Sequence, residues 1–218
     1  MYKKIGVILS GCGVYDGSEI HESVLTLLAI EQLGGEALII APDITQAKVV
    51  DHHTGALQPG SRSVLSEAAR IARGPVLPVD RVKAQDLDAL ILPGGFGAAL
   101  NLCDFASRGA ACSADAATAK LIRDIHALRR PIGALCIAPA FLARVLGDQG
   151  VRLTIGDDPG TAAALEAMGA HHENAAADAI VHDEKHRLVT CPAYMKAKNL
   201  VELWSGVHRL VAKVVELA

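Results

Sequence analysis

The chain has 218 residues, enough for one α/β domain with a sizeable core. Its 51% hydrophobic and 21% charged content excludes a disordered chain. Aromatic residues at 3% and a net charge of −3, with no basic tract, argue against a base-stacking surface or a polyanion site, so no nucleic-acid partner is expected.

No apolar run reaches the length of a membrane span, so no membrane partner is expected either. Met1-Tyr-Lys-Lys leads directly into a strand with no signal-peptide pattern, and the expected location is cytoplasmic. The 5 cysteines, Cys12, Cys103, Cys112, Cys136 and Cys191, are odd in number and widely spaced, which fits reduced thiols. No CxxC motif occurs, so a structural zinc site lacks support and no metal is expected.

Along the chain, the continuous apolar run at 5–9 predicts a strand covered on both faces, followed by a loop at 10–13. Asp16 and Glu19 supply helix-start chemistry for a helix that Gly34-Gly35 stops. A strand at 36–41 ends at Pro42, and 49–55 reads as an extended excursion with a turn. A helix at 61–73, a short strand at 76–79 and a buried strand at 87–92 follow, the last closed by Pro93-Gly-Gly-Phe-Gly97. A helix at 114–128 precedes a strand at 131–135, and a further helix starts at Ile137. Residues 151–155 predict a strand, 161–168 a helix, 179–190 a β-hairpin, and 200–217 a closing amphipathic helix. The alternation implies a mostly parallel sheet sandwiched by helices, in a single domain over 1–218. Ligands of such sheets bind beyond the C-terminal strand ends, where Ser10–Gly13, Pro93–Gly97 and Cys136 converge.

In Pro131-Ile-Gly-Ala-Leu-Cys136-Ile-Ala-Pro-Ala-Phe141, a thiol stands at the corner between strand and helix, the layout of a nucleophile elbow. The helix N-terminus behind it predicts a thiolate; the alternative is a buried cysteine acting as a small hydrophobe. The glycines at 94–97 free backbone N–H groups to hold an oxyanion beside the sulfur, or merely form a tight strand-to-helix turn. Glu19 and Glu22 share one face of the first helix. Either could face the sulfur, although capping explains Glu19 better, and a carboxyl beside a sulfur anion would have a raised pKa.

These segments resemble the ElbB family, also called enhancing lycopene biosynthesis or sigma cross-reacting proteins. That family lies within the ThiJ/PfpI-like, class I glutamine amidotransferase-like superfamily. The resemblance runs nearly end to end and is carried by residues 4–22, Leu92-Pro-Gly-Gly-Phe-Gly-Ala-Ala-Leu-Asn-Leu102, Cys136-Ile-Ala-Pro-Ala140, Leu153-Thr-Ile-Gly156 and Val189-Thr-Cys-Pro-Ala-Tyr-Met195. It implies a flavodoxin-like three-layer α/β sandwich, a homodimer, and a glutathione-independent, cofactor-free glyoxalase (a lyase) that converts the dicarbonyl glyoxal to glycolate. The elbow cysteine aligns with Cys136 and the first-helix acid with Glu22. The N–H groups of Gly95, Phe96 and Ile137 would then hold the oxyanion.

The pattern also departs from the superfamily. Ile137 stands where many members have His after the nucleophile, and Asp158 where some carry a further His. His182-Asp-Glu184 has the spelling of an amidotransferase His-x-Glu pair but falls in the hairpin, and reads as structural. His52-His53 and His171-His172 are adjacent pairs that cannot easily share a metal. Cys12 lies in the first loop at the active edge, either as a resolving thiol for a sulfenic acid or as a plain loop residue. Alongside the glyoxalase stand a deglycase variant, a regulatory or binding protein of isoprenoid metabolism, and an oxidative-stress sensor using the same cysteine.

Overall fold

The computed structural model describes residues 2–218. In chain order the elements are β1 (Lys3–Ile8), α1 (Ile20–Gln32), β2 (Gly35–Ala41), α2 (Val64–Ala72), β3 (Leu77–Pro78) and β4 (Ala89–Leu92). Then come α3 (Phe96–Leu100), α4 (Phe105–Arg108), α5 (Ala116–Ala127), β5 (Ile132–Leu135), α6 (Pro139–Leu146) and β6 (Arg152–Leu153). The chain closes with α7 (Pro159–Ala167), β7 (His171–His172), β8 (Val181–Asp183), β9 (Leu188–Cys191) and α8 (Leu200–Leu217). Among the described residues, no helix is long and apolar enough to cross a membrane.

Seven strands form one sheet in the order β3-β2-β1-β4-β5-β9-β8, parallel except for the antiparallel β8–β9 hairpin. Every residue of β4, β5 and β9 is buried, which is why these strands read as unbroken apolar runs. Helices cover both faces, giving the flavodoxin-like three-layer α/β sandwich. One half-core packs Phe141, Leu142, Ile122 and Ile125 of α5 and α6 on the sheet. The other packs Ile30, Ala68, Val207 and Leu210 of α1, α2 and α8. Phe141 is the sole aromatic side chain in the buried core of the described residues, so the interior is filled by aliphatic groups.

Register places the site. Val7 pairs with Ile39 on one side and Ile91 on the other, Leu92 with Ala134, and Leu135 with Cys191. The C-terminal ends of β1, β4, β5 and β9 therefore lie level. The chain runs outward from β1 through β2 to β3, then crosses to β4 on the opposite side of β1. The crevice of such a sheet opens at that switch point.

Several elements differ from the sequence reading. Helix α1 starts at Ile20 with Glu19 as its cap, not Asp16. Buried Asp16 instead accepts the Val50 N–H at 2.8 Å and ties the excursion around Val50 to the first loop. Helix α6 starts at Pro139, so Cys136, Ile137 and Ala138 form a turn ahead of it. The strand expected at 151–155 shortens to β6, which pairs with β7 in a separate two-stranded sheet. Helices α3 and α4 span five and four residues, too few for an amphipathic period to register.

Gly206, within α8, tests how tightly this face is packed. Alanine is the better helix former by about 1 kcal/mol. A methyl there, however, would lie 2.6 Å from the Ala177 carbonyl oxygen and 2.7 Å from the Cys191 sulfur. Overpacking against backbone outweighs the propensity gain, so Gly206→Ala should lower stability by roughly 1–3 kcal/mol. Urea unfolding should show a lower midpoint at unchanged slope.

Candidate active site

Cys136 follows the last residue of β5 and has φ +58°, a left-handed conformation that costs a non-glycine residue roughly 1 kcal/mol or more. The turn is pinned by the Cys136 N–H donating to the Cys191 carbonyl and the Ala138 N–H to the Leu135 carbonyl, both at 2.9 Å. Pro139 takes the first helical position, where its missing N–H is no loss. This is the elbow expected from the sequence, and it leaves the Ile137 N–H free to face the sulfur. The N–H groups of Gly95 and Ile137 both donate to Sγ.

Gly94 allows the approach between the β4 loop and the elbow. A Cβ at that position would stand 2.4 Å from Cys136 Cβ and 2.7 Å from Glu22 Oε2. Gly95, at φ +91°, has no room either: its Cβ would lie 2.4 Å from the Glu19 nitrogen.

Glu22 is fully buried on the first turn of α1. Its Oε2 accepts the Gly94 N–H at 2.8 Å, its Oε1 accepts the Tyr194 N–H at 3.1 Å, and the carboxyl hydrogen-bonds the Cys136 thiol. Of the two candidate acids, Glu22 is therefore the one on the sulfur. Glu19 serves as the cap, its Oε2 accepting the Glu22 N–H at 2.7 Å.

Burial pushes the Glu22 carboxyl up to about 7, and the Glu19 charge adds to the rise against the opposing pull of the Tyr194 and Gly94 N–H groups. Cys136 is displaced in the same sense. Burial and then the Glu22 charge drive its thiol well above the ordinary cysteine range, despite the Gly95 and Ile137 N–H groups. The expected resting thiolate is thus corrected. Cys136 is only 8% exposed, too dry and too close to a carboxylate to ionise beside it. Below about 7 both groups are protonated; above it the pair keeps one proton, on sulfur beside the carboxylate.

Other expected site residues lie elsewhere. The Phe96 N–H donates to the Val14 carbonyl at 2.7 Å and is not available to an oxyanion; only the Phe96 ring reaches the site. Burial pushes the Cys12 thiol up, and the charges that act on it are those of Glu67, Arg70, Asp16 and Arg62. Asp158 caps α7, its Oδ1 accepting the Thr161 N–H at 2.7 Å, and those bonds hold its carboxyl below the ordinary range. His182-Asp-Glu184 belongs to the hairpin at the opposite end of β9, where Asp183 accepts the Arg152 and His186 N–H groups.

Above the sulfur opens a cavity of about 390 Å³ with largely apolar walls, among them Val14, Phe96, Phe105, Ile137, Tyr194 and Met195. Tyr194 carries no signal in the sequence that marks it as a site residue. It contributes its N–H to Glu22, its ring to the cavity, and its hydroxyl to His21 Nδ1 at 2.8 Å. Ala193, at φ +45°, turns the chain after β9 so that this N–H points inward. A backbone amide leaves no side-chain signature, so only the aromatic residue itself could have flagged the position.

No family model matches the chain. It is 41% identical over 225 residues to human glutamine amidotransferase-like class 1 domain-containing protein 3, mitochondrial, covering 98% of this chain and 83% of that protein. It is 40% identical over 224 residues to the rat ES1 protein homolog, mitochondrial, covering 98% and 84%. The crystal structure of an isoprenoid biosynthesis protein with an amidotransferase-like domain from Ehrlichia chaffeensis superposes with a TM-score of 0.93 at 32% identity, covering 99% of each chain. Sequence, fold and elbow together make this chain a member of the ElbB/ES1 family, within the class I glutamine amidotransferase-like superfamily.

Proposed function

We propose that this protein is a glutathione-independent glyoxalase acting on glyoxal or a related small dicarbonyl. The reading rests on one observation: a buried carboxyl hydrogen-bonds the elbow thiol while two backbone N–H groups point at the same sulfur. That arrangement supplies a nucleophile, a base and donors for developing negative charge within one cavity.

The Glu22 carboxylate takes the thiol proton as Sγ attacks one aldehyde carbon and passes it to the carbonyl oxygen, which gives a hemithioacetal and restores the carboxylate. The N–H groups of Gly95 and Ile137 lose the sulfur as acceptor and turn to the oxygen. Glu22 then removes the proton from the sulfur-bearing carbon and returns it to the neighbouring carbon, while the hydroxyl proton passes from the first oxygen to the second, giving a glycolate thioester. Water cleaves the thioester and restores the thiol, so the net change is glyoxal plus water to glycolic acid. The chemistry as written needs no metal or organic cofactor. A carboxyl near 7 suits it, because the same group must give and take protons near neutral pH.

A second reading is a binding or regulatory role in isoprenoid metabolism, with the cavity holding an apolar metabolite. The apolar walls and the Ehrlichia relative's description favour it. An oxidant sensor is disfavoured, since such thiols have low pKa values and ready access, whereas burial drives this one the other way. A homodimer is part of the proposal, and the exposed stripe Ile20, Val24 and Leu28 on α1 offers it a surface. Location is proposed as cytoplasmic on the strength of five free thiols, although the rat and human relatives are named as mitochondrial.

Three measurements test these statements. With glyoxal in metal-free buffer, wild type should form glycolate and Cys136→Ser should fall to the uncatalysed background; consumption of glyoxal without glycolate would mean adduct trapping and would support the binding role. The kcat/KM profile of wild type should rise through an acid limb near 7, because the base form of Glu22 is required, and Glu22→Gln should lose roughly 10²- to 10⁴-fold. Stability gives an independent check. Glu22 is neutral in both folded and unfolded chains below its ordinary pKa of 4.5 and is held protonated in the fold up to about 7. Wild type should therefore lose roughly 3 kcal/mol relative to Glu22→Gln as pH rises from 4.5 to about 7, measured by denaturant titration.

A further inference from the structure

Behind the cavity wall, three sulfur atoms converge. Cys103 and Cys112 bracket the segment that contains α4, which carries Phe105 and Ala106 of the cavity lining. The neck of this loop is closed by the Cys103–Ala114 antiparallel bridge and by the Asp115 N–H donating to the Leu102 carbonyl at 2.7 Å. Diagonal neighbours across such a bridge share a face, which turns Cys112 toward Cys103. The two thiols lie close enough to act on each other, while in the resting structure the Cys103 thiol donates to the Ala98 carbonyl at 3.4 Å. The third sulfur comes from Met168, at the C-terminal cap of α7, with Sδ 3.8 Å from Cys112 Sγ. Cys103 is 4% exposed and Cys112 1%.

This set has the dimensions and softness of a metal site. Three sulfurs at about 2.3 Å from a central ion stand about 4 Å apart, close to the spacing already present between Cys112 and Met168. Two thiols and a thioether are soft donors that select Cu(I), whereas Zn(II) wants a fourth ligand in tetrahedral array. Among the described residues, no three His, Cys, Asp or Glu side chains converge to supply one. Cu⁺ with two thiolates leaves one negative charge; the Arg144 guanidinium acts on Cys112, and the Asp104 carboxylate acts on both thiols in the opposite sense. The cover is thin, since Ala111 and Ser113 on either side of Cys112 are exposed.

We propose that Cys103, Cys112 and Met168 form a trigonal, all-sulfur binding site for Cu(I), separate from the Cys136 site. Binding joins one Cu⁺ to both cysteine sulfurs and the thioether and releases two protons, with no change in oxidation state. The bound ion would fix α4 against the end of α7 and stiffen the Phe105 side of the cavity. The proposal does not depend on the glyoxalase reading.

The test is anaerobic competition for Cu(I) between the reduced full chain and a chromogenic Cu(I) chelator. Wild type and Cys136→Ala should each retain one equivalent, with three sulfur scatterers at about 2.3 Å by X-ray absorption. Cys103→Ser and Cys112→Ser should each weaken retention at least a hundredfold. Met168→Leu, which conserves volume and should fold, should weaken it about tenfold. Zinc offered in place of copper should be lost to a weak chelator. The site is overturned if wild type yields all its copper, if Met168→Leu binds as wild type does, or if copper follows Cys136 and not the Cys103–Cys112 pair.

Discussion

The structure is organised around one hydrogen bond in a dry place, between the Glu22 carboxyl and the Cys136 thiol. Each group would ionise at its ordinary pKa in water, and together in the interior they cannot both do so. One proton is therefore held between them. Everything nearby serves that constraint: Gly94 removes the side chain that would part them, and the Gly94 and Tyr194 N–H groups occupy the two carboxyl oxygens. The sulfur in turn receives the Gly95 and Ile137 N–H groups. No full countercharge appears among these partners, so burial dominates both pKa shifts.

Such a site opposes folding. Holding Glu22 near 7 in place of 4.5 is equivalent to about 3 kcal/mol of disfavoured ionisation, and the left-handed Cys136 costs about 1–3 kcal/mol more. Domains of this kind retain only about 5–15 kcal/mol in total. The surrounding structure must therefore over-determine the site. The fully buried strands β4, β5 and β9 fix the level of their ends, and the Cys191 carbonyl holds the elbow nitrogen. Strain tolerated at one residue is matched by regular, close-packed parallel strands on both sides of it.

The fold is legible in the sequence because parallel strands covered on both faces must be continuously apolar, as in Ala89–Leu92 and Ile132–Leu135. The elbow is legible for a similar reason: a lone thiol between such a strand and Pro139 marks a sharp strand-to-helix corner. What stays hidden depends on contacts between distant segments. The spacing of Glu19 and Glu22 places both on one face, but only the packing of α1 against the β4 loop decides which reaches sulfur. The Phe96 N–H looks free in the sequence because the Val14 carbonyl that takes it is remote along the chain. The sign of the Cys136 shift is hidden as well: the elbow's local amides are visible in sequence, whereas its depth and its carboxyl neighbour are not.

The absence of an imidazole after the nucleophile gives the apolar cavity a second meaning. With Ile137 in that position, the proposed chemistry leaves the Glu22 carboxyl to act alone as both acid and base. A carboxylate near its solution pKa of 4.5 would be a poor proton donor at neutral pH; one near 7 can serve in both directions. Exclusion of water is the largest cause of that shift, and Ile137 and Tyr194 contribute to the enclosure around the pair. The walls thus do more than shape the cavity: they set the proton affinity of the carboxyl. Under the proposed function, the isoleucine after the nucleophile and the dry carboxyl are two aspects of the same arrangement, in which burial would substitute for a second titrating residue.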